Sequence, residues 1–93
     1  MTVYQTVTLT IDDWVDLNTA AGVAVGGAFR IQNIGSNACY LIDAAAKPTQ
    51  PSGILLLTAQ FDELSIADVE SGSERVWVMP SSPNKTIRLM VSD

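Results

Sequence analysis

The sequence predicts an all-β fold, a small antiparallel β-sandwich or barrel of about seven or eight strands with at most one short helical turn. Short apolar and β-branched runs alternate with polar residues at a period of two, as expected for strands with one buried face. These runs recur at intervals of roughly 8–12 residues and are separated by turn-forming residues, which is typical of sandwiches and barrels. The length of 93 residues indicates a single domain, residues 1–93.

Residues 3–11 predict the first strand, because aliphatic and polar side chains alternate along them. Val7 and Leu9 would face the core, while the threonines between them face outward. An uncharged, threonine-rich strand of this kind is also open to edge-to-edge pairing with a neighbouring molecule.

A short helical turn is predicted after the first strand. Asp12 or Asp13 is the candidate N-cap, because a carboxylate oxygen can accept hydrogen bonds from the free N–H groups that begin a helix. Trp14 and Leu17 would then pack onto the core. The small-residue segment 20–28 follows and ends near two glycines, which indicates a bend before the next strand.

Residues 28–44 are predicted to form a central β-hairpin. Phe29 and Ile31 alternate with polar residues, as in a strand with one buried face. Residues 38–42 are apolar on both faces, as in a strand covered by a second sheet and by a partner subunit. The segment between them contains Gly35 and two asparagines, which tolerate positive φ, but it is longer than a two-residue turn and leaves the register open.

The sequence pattern of the second half of the chain predicts a loop marked by two prolines, and four further strands. Residues 44–53 form the loop, which is exposed and available to a partner. The other elements are short strands at residues 54–57 and 60–66, an acidic turn at residues 68–74, and strands at residues 75–79 and 86–91.

Composition argues against two classes of partner. The net charge is −5, whereas binding to nucleic acid or to an anionic membrane requires a basic patch. No apolar run approaches the roughly 20 residues of a membrane-spanning helix. The basic residues are scattered along the chain: Arg30, Lys47, Arg75, Lys85 and Arg88.

No catalytic, cofactor or metal site is predicted, and the chain is expected not to be an enzyme. Histidine is absent, which excludes a Ser-His-Asp triad and the usual Cys/His metal sites. Cys39 is the single cysteine, and its apolar neighbours favour a buried, inert thiol. The carboxylates at residues 12–16 and 68–74 do not match a calcium-binding loop and are expected to be solvated turn and capping groups. A carboxylate pair for glycoside hydrolysis stays open as an alternative, although so short a chain leaves little room for a substrate cleft.

Contact with another protein is predicted for the doubly apolar strand and for the proline-marked loop. The partner-binding candidates are Tyr40, Pro48, Pro51 and Gly53. Trp14 and Trp77 are expected in the core. A tryptophan exposed on the surface would instead indicate a carbohydrate-binding module, since aromatic rings stack on sugars.

Several features follow one another in a fixed order between residues 14 and 91. They are a W-x-x-L segment, a glycine-containing stretch of small residues, and the runs FRIQNIGSNACYLIDAAAKP, GILL and VWVMP. In this order the chain resembles small structural proteins of tailed bacteriophages. The most specific pieces are Ile31-Gln32-Asn33 with Gly35-Ser36, Lys47-Pro48, and Val76-Trp77-Val78.

The resemblance implies a non-enzymatic β-sandwich module of the virion. Proteins of this kind decorate or cement capsids, or form parts of tails and fibres, and they act by binding. The chain would then be made in the cytoplasm of the bacterial host and would bind the outer head surface as a homo-oligomer. Its partner would be the major capsid protein or another virion protein. A tail or fibre component and a small carbohydrate-binding module are the alternatives.

Overall fold

The structure is a computed structural model that describes residues 4–10, 12–49, 53–56, 58, 65–82 and 85–92. These residues form eight strands and one short helix, arranged as two four-stranded antiparallel sheets, so the predicted all-β class is confirmed. In chain order the elements are β1 (Tyr4–Leu9), β2 (Val15–Asp16), α1 (Leu17–Ala21), β3 (Phe29–Asn33), β4 (Cys39–Asp43), β5 (Ile54–Leu56), β6 (Ile66–Val69), β7 (Val76–Pro80) and β8 (Ile87–Ser92).

The two sheets are built from strands that are far apart in sequence. The strand order is β1-β8-β3-β6 in the first sheet and β2-β7-β4-β5 in the second, and every pair is antiparallel. The longest pairing joins β1 to β8, from Tyr4 opposite Ser92 to Leu9 opposite Ile87. Among the described strands, the edges are therefore β1 and β6 in the first sheet, and β2 and β5 in the second.

The inner faces of the two sheets enclose one hydrophobic core. Along β8, Ile87, Leu89 and Val91 are buried, while Arg88 is exposed. Along β1 the threonines are exposed, as predicted. Fully burying one large aliphatic side chain contributes roughly 1.5–3 kcal/mol. The core residues are Val7, Leu9, Leu17, Ala21, Phe29, Ile31, Cys39, Leu41, Leu56, Val76, Val78, Ile87, Leu89 and Val91.

The predicted central hairpin over residues 28–44 is wrong. Both strands form where they were expected, but β3 pairs with β6 and β8 in the first sheet, whereas β4 pairs with β5 and β7 in the second. The segment 34–38 therefore crosses from one sheet to the other. A connection of this length fits either arrangement, and the crossing gives each strand two other neighbours in place of its sequence neighbour.

The buried side chain of Asn33 stabilises this crossing. Its Nδ2 donates to the carbonyl oxygens of Asn37 at 2.8 Å and Leu56 at 3.4 Å, and its Oδ1 accepts from the N–H of Gly35 at 3.0 Å. The amide thereby joins the end of β3 to the crossing segment and to β5. A buried amide that is hydrogen-bonded at both ends avoids the cost of an unpaired polar group.

The predicted N-cap of the helix, Asp12 or Asp13, is wrong. The cap is Asp16, whose Oδ1 accepts from the N–H of Thr19 at 3.2 Å and whose Oδ2 accepts from the Thr19 hydroxyl at 2.7 Å. Asp12 and Asp13 lie before β2, and the two residues of β2 pair with β7 before the helix begins. Tertiary pairing therefore selects among three aspartates that each have the chemistry of a cap.

The second half of the chain differs from the prediction around β6. The short strand predicted at residues 54–57 is confirmed by β5, whereas residues 60–64 of the next predicted strand lie outside the described residues. β6 runs on through Asp68, where an acidic turn was predicted, because Arg30 stands opposite on β3 and pairs with its carboxylate. The turn lies at Glu70 to Ser73, where the Ser73 N–H donates to the Glu70 carbonyl at 3.2 Å.

Candidate interaction face

The outer face of the second sheet carries a continuous group of apolar side chains. Tyr40 lies between Met79 on β7 and Leu55 on β5, and Ile42 lies opposite Trp77. Each of these five residues alternates along its strand with a buried neighbour, so it points away from the core. Leu55 is 48% exposed and the other four are half-buried. We call these five residues the apolar face.

The outer face of the first sheet is mostly polar. Thr8 on β1 lies opposite Arg88, and both side chains are exposed. Arg30 and Asp68 form a bidentate ion pair across β3 and β6, with N–O distances of 2.7 and 3.2 Å. The hydrogen bond from Arg30 lowers the pKa of the Asp68 carboxyl. The outward positions on these strands are Thr6, Thr8, Arg30, Gln32, Ile66, Asp68, Arg88, Met90 and Ser92.

The segment of residues 44–49, which we call the strap, is held against the second sheet by hydrogen bonds at Ala44, one of them from its N–H to the Arg75 carbonyl at 2.8 Å, and by a contact of Lys47. The indole Nε1 of Trp77 donates to the carbonyl oxygen of Ala44 at 3.0 Å, directly after β4. Further along, the Lys47 ammonium lies 2.6 Å from Oδ2 of Asp13, just before β2. The strap therefore contacts Trp77 of the apolar face at its start and the segment before β2 further along.

The Lys47 contact also affects the carboxyl group that receives it. The side-chain hydrogen bond from Lys47, followed by the N–H of Trp14, lowers the pKa of Asp13. Both charged side chains are about half exposed, so the pair adds little to stability and serves to position the strap.

A second ion pair borders the apolar face along β2. Asp16 stands opposite Trp77 in the register, and its carboxylate bonds to the Arg75 guanidinium and to Thr19. Burial by itself would raise the pKa of Asp16. The hydrogen bonds from Thr19, the hydrogen bond from Arg75 and the positive charge of Arg75 together outweigh this effect, so the pKa of Asp16 is lowered. The apolar face therefore ends at a charged, hydrogen-bonded edge.

The predicted partner-binding residues lie in different parts of this region. Tyr40 is central in the apolar face, and Pro48 is half-buried in the strap. Gly53 is exposed just before β5, with φ of 89°, and a Cβ there would lie 2.8 Å from Cβ of Ile42. Pro51 lies outside the described residues. The contact roles of all four stay predictions.

Sequence reasoning missed most of the apolar face. Trp14 is buried as expected, but Trp77, also expected in the core, lies on the outer face. Residues 76–79 are apolar at both alternating positions, the same signal that indicated a doubly covered strand at residues 38–42. The same signal on β7 would have predicted that Trp77 and Met79 lie on an apolar outer face.

The single cysteine lies in an environment that makes its thiol unreactive. Cys39 is fully buried, as predicted, and burial raises the pKa of its thiol to about 12, so it stays protonated at neutral pH. Within the described residues no three histidine, cysteine, aspartate or glutamate side chains are grouped to hold a metal ion. Over the same residues, no helix combines the length and apolar character needed to span a membrane.

Comparison with known proteins returns no relative of this chain. No family model, curated protein or solved structure matches it.

Proposed function

We propose that the chain is a non-enzymatic virion structural protein of a tailed bacteriophage. It acts as a decoration or cement module that binds the outer surface of the head and links capsomers. The resemblance of residues 14–91 to small phage structural proteins supports the virion setting. The apolar face is the observation that carries the binding role.

The apolar face has the composition of a protein-binding surface. Contiguous apolar side chains on the outside of a small domain mark interaction sites, and aromatic residues and methionine are enriched in such sites. Tyr40, Trp77 and Met79 supply those residue types on neighbouring strands. Tyr40, at the centre, is the residue expected to contribute most to binding, because hot spots cluster near the middle of an interface.

Because many copies bind one shell, a modest affinity at each contact is sufficient to link the capsomers. A standard interface buries roughly 1,600 Å² in total, and a module that touches two capsomers at once gains affinity through effective concentration. The net charge of −5 would keep free copies soluble before they bind. Homo-oligomers of the chain would increase the number of simultaneous contacts further.

A carbohydrate-binding module is the second candidate, and the position of Trp77 favours it. The Trp77 ring lies on an outer face beside Ile42 rather than in the core, and an outward aromatic ring can stack on a sugar. Trp14 is only 5% exposed and cannot serve. A sugar-binding chain would be monomeric and would not bind heads.

Binding to undecorated heads of the phage that encodes the chain tests the proposal. The wild-type protein is sized by light scattering, mixed with the heads and sedimented. We expect a fixed number of copies per head, retained on addition of excess protein. Tyr40→Asp should abolish co-sedimentation, because a charge would be buried in the contact. Thr8→Asp, which adds the same charge to the opposite outer face, should leave the copy number unchanged.

The proposal fails if the wild-type protein does not co-sediment, or if Tyr40→Asp binds as well as Thr8→Asp. A stable oligomer that ignores heads would point to a tail or fibre component. A monomer that ignores heads but shows tryptophan quenching by oligosaccharides would point to the carbohydrate-binding module. Thermal unfolding of both variants shows whether the loss of binding reflects the surface or the fold.

A further inference from the structure

A cleft of about 350 Å³ opens at one corner of the sandwich, away from the centre of the apolar face. It lies between β4 and β5 of the second sheet and β6 of the first sheet. Its apolar lining includes Leu41, Ile54 and Val69, and its rim carries Asp43 and Glu70. The corner is formed by β5 and β6, which are edge strands of their sheets.

Ile54 shows that the apolar part of the cleft is uncovered. It lies opposite Leu41 in the register, so both side chains point to the inner face of the second sheet. Leu41 is 5% exposed, whereas Ile54 is 56% exposed. Ile54 is therefore an inward-facing aliphatic side chain that is open to solvent.

The rim of the cleft carries two carboxylates, Asp43 and Glu70, for which the described part of the chain supplies no ion pair. The ion pairs of the described residues join Arg30 to Asp68, Lys47 to Asp13, and Arg75 to Asp16. Among these described residues, neither Asp43 nor Glu70 forms an ion pair. Two free negative charges therefore stand beside an uncovered apolar surface.

We propose that this cleft binds an extended peptide segment of a partner protein that carries aliphatic and basic side chains next to one another. An aliphatic side chain covers Ile54 and Leu41, and a neighbouring lysine or arginine reaches Asp43 and Glu70. Among the described residues β5 pairs with β4 alone, and an extended segment that enters the cleft would run alongside β5. The cleft shares Ile42 with the apolar face, but Tyr40, Leu55, Trp77 and Met79 do not line it. The inference does not depend on the virion setting.

The test is an NMR titration of the full chain, labelled with nitrogen-15, with the peptide acetyl-Val-Lys-Val-Lys-Val-amide. We expect saturable amide shifts at Ile54 and Val69. The peptide acetyl-Val-Glu-Val-Glu-Val-amide, equally aliphatic but acidic, should give none. Raising the salt concentration should weaken binding of the basic peptide, because exposed ion pairs are screened.

Charge-neutralising variants identify the carboxylates. The double variant Asp43→Asn/Glu70→Gln should bind the basic peptide about fivefold more weakly, the loss expected for two exposed ion pairs. Glu74→Gln is the matched control, since it removes an exposed carboxylate that does not line the cleft. The inference is overturned if the acidic peptide binds equally well, if the basic peptide shifts no amide of the cleft, or if the double variant binds as tightly as Glu74→Gln.

Discussion

Ile42 and Trp77 lie opposite each other on neighbouring strands, and both side chains stand on the outer surface of the second sheet. The indole of Trp77 is held there by its hydrogen bond to the Ala44 carbonyl. An apolar pair on the outside of a small domain, with one ring fixed in position, is a surface prepared for contact at low cost in side-chain entropy.

Gly53→Ala should destabilise the protein by about 2–4 kcal/mol, as measured by urea unfolding, because it combines backbone strain with a steric clash. The residue has φ of 89°, and a Cβ would overlap the Leu41 carbonyl and Ile42 on the adjacent strand. Gly72→Ala is the control, since Gly72 has the same φ but no atom within 4 Å of its Cβ position. It should cost only about 1 kcal/mol. Equal losses for the two variants would contradict the packing of β5 against β4.

Asn18→Ala should lower the free energy of unfolding by about 2–3 kcal/mol, because it leaves a buried backbone N–H without an acceptor. The Asn18 side chain is 3% exposed, and its Oδ1 accepts from the N–H of Val76 at 2.7 Å. Asn37→Ala removes a bond to the Thr86 carbonyl at a half-exposed site and should cost less than half as much. A larger loss for Asn37→Ala than for Asn18→Ala would argue against the tie between α1 and β7.

Stability should fall on acidification, with Asp16 contributing to the loss. Its pKa is lowered in the folded protein from the ordinary value of 3.8. Its stabilising contribution is therefore fully present above pH 3.8 and is lost as the pH falls through the folded pKa. Asp16→Asn should flatten the decline in melting temperature below about pH 4. An unchanged slope in Asp16→Asn would count against the Asp16–Arg75 pair.

Cys39 should resist thiol reagents in the native protein. The side chain is fully buried, and its pKa is raised to about 12 by burial, so the reactive thiolate is scarce and inaccessible. At pH 8 a colorimetric disulfide reagent should label the protein only after unfolding in urea. Rapid, stoichiometric labelling without denaturant would show that the core opens at β4.

The strands were more predictable from the sequence than the way they pair. Alternation located β1 and β8 because each has one buried and one solvated face. The crossing at residues 34–38 was not predictable, since Asn33 organises it through bonds to Leu56, a residue far along the chain. Asp68 was read as part of a turn, because its strand position depends on Arg30 across the sheet.

The apolar face was predictable only in part. Tyr40 was identified because its strand is apolar at both alternating positions. Trp77 was assigned to the core, because a sequence does not show which face of a strand is inward when both faces are apolar. The cleft beside Ile54 depends on how the two sheets meet at their edges, and local patterns carry no information about that arrangement.

Hydroxyl-radical footprinting, read by mass spectrometry, tests most directly whether the apolar face is the binding surface. Oxidation of the free protein is compared with oxidation of the protein bound to heads. Tyr40, Trp77 and Met79 react readily and lie on the apolar face, while Met90 lies on the outer face of the first sheet as an internal control. We expect oxidation of the three face residues to fall severalfold on binding and that of Met90 to stay the same. Protection of Met90, with the three face residues oxidised as in the free protein, would contradict the account.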